Sequence, residues 1–225
     1  MPGGWTMSMT WMLMPGQSWP GAAASFAGMW VVMMVAMMLP SLVPTLWRYR
    51  QAIGNAGVTR LDLLTVLVGI GYFSVWALFG IAAFPVGVAL AALEMQHPAL
   101  ARAVPLTVSV VVLIAGVLQF TSWKARQLAC CREVSISRCT APTDANSALK
   151  SGLRLGVHCS YCCAGLTSIL LVVDVMDLRA MTVLTAAITL ERLLPSSVRV
   201  AHAVGIVTVG AGLSLLCRDL YALAL

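Results

Sequence analysis

Residues 156–165 read GVHCSYCCAG and place His158, Cys159, Cys162 and Cys163 within six positions. On a helix, residues three and four apart share a face. Cys159 therefore neighbours Cys162 and Cys163, and His158 neighbours Cys162. Thiolates and imidazole are soft or borderline metal ligands, so the spacing predicts a metal site or thiol redox chemistry. A lone membrane cysteine is ordinarily a small hydrophobe, but packing alone does not call for four such ligands so close together. A second run, MWVVMMVAMMLP at 29–40, holds five methionines in twelve residues. Met29, Met33 and Met37 step along one face of a helix, with Met34 and Met38 on the adjoining strip. As packing filler such methionines need no function. Thioethers together with thiolates select Cu(I) over harder ions, whereas thiolates alone suit zinc equally. The pairing points to copper, with zinc as the alternative.

The elements that position these residues belong in a bilayer. Of 225 residues, 60% are hydrophobic and 10% charged, against about 25% charged in a soluble domain. The apolar runs predict an all-α polytopic membrane protein of about six spanning helices, each about 20 residues long. They are expected near 24–46, 63–90, 104–123, 153–173, 176–194 and 198–217. Residues 1–23 read as a Met- and Trp-rich outer tail that is retained, because no basic residue precedes its weakly apolar part and Gly, Pro and Trp interrupt it. Residues 24–225 read as one membrane domain, with 124–152 as a polar cytoplasmic loop.

The formal net charge of +6 sits in short loops, where it works as a topology signal rather than a face for nucleic acid. The loops after the first, third and fifth expected helices carry eleven of the fourteen Lys and Arg residues. That asymmetry puts both termini outside and the long loop in the cytoplasm. The lipid bilayer is then the first partner. Cys130, Cys131, Cys159, Cys162, Cys163, Glu191 and His202 collect on the inner side, and only Cys217 among the cysteines falls on the outer one. Thiols facing a cytosol stay reduced, so a disulfide framework is not expected. Glu191 is an ionisable group in an apolar helix and a functional candidate by default, with Lys124, Arg192, His202 or a metal as its expected partners. No nucleotide-binding motif is present, which argues against pumping by this chain alone.

Three stretches carry a family resemblance: MWVVMMVAMMLPS at 29–41, QFTSWKARQLACCR at 119–132 and GLRLGVHCSYCCAGL at 152–166. They resemble the signatures of a bacterial family of predicted metal-binding integral membrane proteins, catalogued as domain of unknown function 2182. TLER at 189–192 stands where that family shows a Glu-Lys pair. The resemblance implies a metal-binding membrane fold in which Lys124, Cys131, Cys159, Cys162, Cys163 and Glu191 are the positions of interest. The chain departs from the family at Gln127, which replaces its first helix-three cysteine, at the extra Cys130, and at Ala164, where a tryptophan often follows the paired cysteines.

The expected ligands are Cys159, Cys162, Cys163, His158, Cys131, Met33, Met37 and Glu191. The leading expectation is a copper-handling membrane protein that traffics, stores or delivers Cu(I). One alternative is an accessory subunit of a membrane metalloenzyme such as a copper-dependent oxygenase, so that a metalloenzyme or metal-chaperone partner is expected. Another is a membrane thiol–disulfide oxidoreductase using the Cys159-x-x-Cys162 pair.

Overall fold

The computed structural model describes residues 18–55, 60–137, 144–173, 177–194 and 196–224. Most of the expected outer tail, with Met7, Met9, Met12 and Met14, lies outside the described residues. The described chain is all helical: α1 (Trp19–Asn55), α2 (Leu61–Gln96), α3 (Pro98–Leu118), α4 (Ser122–Ser137), α5 (Ala145–Val173), α6 (Leu178–Leu193) and α7 (Ser197–Ala224). Four of these, α1, α2, α5 and α7, are long and apolar enough to cross a membrane. A fifth crossing arises if α3 and the start of α4 form one span bent by 65°. That is fewer than the expected six. The remaining candidate, α6, has 16 residues and reaches about 24 Å, short of a bilayer core of about 30 Å.

The expected third helix is broken rather than continuous. The backbone N–H groups of Gln119, Phe120 and Thr121 donate to the carbonyls three residues back, in a tight turn. Thr121 then caps α4, its Oγ1 accepting the Lys124 N–H at 3.3 Å, the usual duty of an N-cap hydroxyl. Pro98 opens α3, so Pro105 lies inside the helix and not in its first turn. The expected polar loop 124–152 is also corrected, since α4 and the early start of α5 make most of it helical. Packing explains the extension of α5: Ala148 is buried against Leu64 and Val68 of α2. Asp177 caps α6, accepting from the N–H groups of Arg179 and Ala180, and α6 stops before Pro195, as helices do.

Helices α2 and α5 run parallel and touch backbone to backbone along a glycine stripe. A Cβ on Gly152 would collide with the Val68 carbonyl, and one on Gly156 would lie 2.9 Å from the Tyr72 carbonyl oxygen. Small residues four apart allow this approach, which brings Tyr72 alongside Cys159. Helix α1 is locked to α2 by Trp30, which lies on Gly80 and donates its indole N–H to the Trp76 carbonyl at 2.9 Å. Helices α3 and α7 pack antiparallel, with Gly116 against Val209 and Gly212 against Leu113.

The stripe yields a stability prediction. Gly152→Ala should lower the stability of the detergent-solubilised protein by about 1–3 kcal/mol through overpacking. Gly28→Ala, where an added Cβ meets nothing within 4 Å, should cost nothing measurable. Thermal unfolding of both variants against the parent chain checks the difference.

Candidate metal centre

Cys159 is the central residue of α5 by count, because that helix begins at Ala145, eight residues earlier than expected. Cys159, Cys162 and Cys163 are all buried free thiols. Cys159 Sγ and Cys163 Sγ lie 3.9 Å apart across one helical turn, and the Cys163 thiol also interacts with that of Cys162. Tyr72 brings its hydroxyl to within 3.0 Å of Cys159 Sγ. From the last turn of α6, Arg192 donates from Nη1 to Cys159 Sγ at 3.1 Å and to Ser41 Oγ at 2.9 Å. The guanidinium thus sets a permanent positive charge against a sulfur and ties α1, α5 and α6 together.

The methionine face of α1 belongs to the same interior. Met33, Met34, Met37 and Met38 are buried in one core cluster with Cys159, Cys162 and Cys163, and Met29 packs against its edge. The methionine ladder therefore faces the bundle, not lipid. Ser41 fixes its inner end: the hydroxyl donates to the Met38 carbonyl at 3.0 Å while accepting from Arg192. Met37 lies one turn from Ser41 on the same face of α1, buried in the cluster that holds Cys159.

Glu191 is buried as the sequence suggests, and its partners are now specific. Lys124 Nζ is 2.8 Å from one carboxylate oxygen, with the two side chains 6% and 2% exposed. Gln119 Nε2 donates to the other oxygen at 2.8 Å. Lys124 Nζ also donates to the Cys162 carbonyl at 2.7 Å, so the ion pair grips the backbone of the cysteine helix. Lys124 and Gln119 reach this point because the α3–α4 break folds the chain inward there.

The other expected residues fare differently. His158 is half-buried and lies one position from the Cys159–Cys163 face. Cys131 is in α4, but its side chain and that of Cys130 fall outside the described residues. His202 is exposed and stacks on Phe120 with ring centroids 5.5 Å apart. Cys217 is exposed on α7. Among the described residues, no three His, Cys, Asp or Glu side chains converge as a metal cage does. The sulfur donors instead form a thiol pair within a thioether-lined core. Nothing in the sequence pointed to Tyr72, and Arg192 stood there as a topology signal and as a partner of Glu191, not as a donor to Cys159 and Ser41. The one available hint for Arg192 was its place beside Glu191 in TLER.

The ion pair carries its own prediction. Removing one partner of a buried pair leaves an uncompensated charge, at a cost of about 3–5 kcal/mol. Glu191→Leu or Lys124→Met should destabilise by that amount, and the double variant should recover most of it. A double-mutant cycle on thermal stability in mild detergent measures the coupling.

No curated protein and no solved structure matches the chain. A family model described as "PpoB2: Copper chaperone" does match, over residues 27–215. That span contains the whole methionine face of α1, the α3–α4 break, the three thiols and both charged side chains at the end of α6, and the chain belongs to this family of copper chaperones.

Proposed function

We propose that the chain is a membrane-embedded Cu(I) carrier whose cargo is held by the Cys159 and Cys163 thiolates. A methionine of α1, Met37 or Met33, completes the donor set. The observation that carries the reading is the buried pair of sulfurs 3.9 Å apart, a separation that two metal–thiolate bonds of about 2.3 Å can bridge. Their shared core with four buried methionines favours the soft monovalent ion. A structural zinc site takes four ligands in a closed tetrahedron, and a two-thiol, thioether-lined pocket is a poor match for it. Cys162, buried beside Cys163, is a second sulfur to which the ion can move. Glu191, with both oxygens engaged, then serves to hold the cysteine helix rather than to ligate, and half-buried His158 stands beside the sulfur face.

On this reading the membrane is a bacterial inner membrane. Lys150 and Arg154 on the exposed early turns of α5, with Arg48 and Arg50 on α1, mark its cytoplasmic edge. Helix α6 is a short sixth crossing, and both termini are outside. Copper approaches along the methionines of α1 and leaves toward the cytoplasmic side of the thiols for a copper-requiring partner.

The test is copper content. Protein purified anaerobically in mild detergent should retain Cu(I) against a competing chelator. Cys159→Ser with Cys163→Ser should fall to background, and Met37→Leu should weaken retention by about tenfold, a difference of about 1.4 kcal/mol. Full copper retention in the double cysteine variant would refute the site.

A further inference from the structure

The guanidinium of Arg192 is the feature that a copper site of this kind does not require. Thiolates and thioethers alone would bind Cu(I), yet an arginine is held in direct contact with one of the sulfurs. Its position is fixed from two sides: Nη1, the nitrogen that donates to Cys159 Sγ at 3.1 Å, also donates to Ser41 Oγ at 2.9 Å. Ser41 is itself oriented by donating to the Met38 carbonyl. The neighbouring cation, Lys124, is balanced by Glu191 at 2.8 Å. Arg192 in turn stands in direct contact with one sulfur of the thiol pair.

We propose that Arg192 determines ion specificity, making the Cys159–Cys163 pair accept monovalent soft cations and reject divalent ones. The inference rests on the copper-site reading above. Two metal-bound thiolates carry two negative charges, and the guanidinium offsets one. A monovalent ion then leaves this group of charges neutral, whereas a divalent ion leaves it with an uncompensated positive charge in an apolar bundle, where such charge is costly. Whatever else the guanidinium touches, its repulsion of a divalent ion is twice its repulsion of a monovalent one. Softness alone does not supply this discrimination, because a soft divalent ion such as Cd(II) is as thiophilic as a soft monovalent one. Arginine suits the task because it stays charged in any environment.

The experiment separates charge from softness by comparing Ag(I) with Cd(II), both thiophilic, on the full chain in mild detergent under reducing conditions. Displacement of Cu(I) by each ion is followed by elemental analysis. The wild type should exchange Cu(I) for Ag(I) and resist Cd(II). Arg192→Gln should shift the Ag(I)-over-Cd(II) preference toward Cd(II) by on the order of 100-fold, and Arg192→Lys, which keeps the charge, should restore it. Equal displacement by Cd(II) and Ag(I) in the wild type would overturn the proposal even if the glutamine variant failed to fold. An unchanged preference in a folded Arg192→Gln variant would overturn it as well. Wild-type protein that takes up copper but does not discriminate refutes the role of Arg192 alone, whereas protein that takes up neither copper nor silver refutes the copper site together with it.

Discussion

Lys124 and Glu191 meet at 2.8 Å in the interior of an apolar bundle, and the surrounding chain is arranged so that neither charge stands alone. Gln119 takes the second carboxylate oxygen, and the Cys162 carbonyl takes a second Lys124 N–H. These contacts need the end of α3, the start of α4, the middle of α5 and the end of α6 at one level. A straight third helix would not bring Gln119 and Lys124 to the same carboxylate in this way, so the break at 119–121 and the ion pair depend on each other. The pair costs desolvation to bury, and a hydrophobic substitute would hold the helices as well. What it adds is a fixed register for the cysteine helix, gripped through its own backbone.

The thiol pair lies between that clamp and a second close contact. On one side the glycine stripe lets α2 approach until Tyr72 reaches Cys159; on the other Arg192 spans to Ser41. Cys159 is thus contacted from two helices besides its own and tied through Arg192 to a third, α1. Such a setting suits a cargo site better than a structural one. The sulfur donors are few, one of them has a third thiol beside it, and the charge around them is set in advance. For a copper chaperone on the proposed reading, binding must be selective enough to acquire the ion and sparse enough in ligands to release it.

Much of this was legible in the sequence, for identifiable reasons. Helical character and the shared face of Cys159 and Cys163 follow from apolar run length and the i, i+4 rule, both local. The methionine step at 29, 33 and 37 marked a face of α1, although which way it turned depended on packing. The break at Gln119–Thr121 was hidden because its residues are compatible with a helix; only Thr121 and Ser122, as capping types, hinted at it. The early start of α5 was missed because Lys150 and Arg154 made the segment look like a loop, while Ala148 and Gly152, which bury against α2, carry no strong signal by themselves. The contacts of Arg192 with Ser41 and Cys159 were hidden because these partners lie 151 and 33 residues away in sequence, and Tyr72 is 87 residues from Cys159. Such tertiary polar contacts leave no local pattern.

X-ray absorption at the copper edge of the Cu(I)-loaded chain tests the central claim most directly, because it reads the donor atoms themselves. The account predicts a first shell made only of sulfur, about two or three atoms, as thiolate and thioether ligation of Cu(I) requires. A shell containing nitrogen or oxygen would contradict it, moving the ion away from the Cys159–Cys163 pair toward His158 or Glu191.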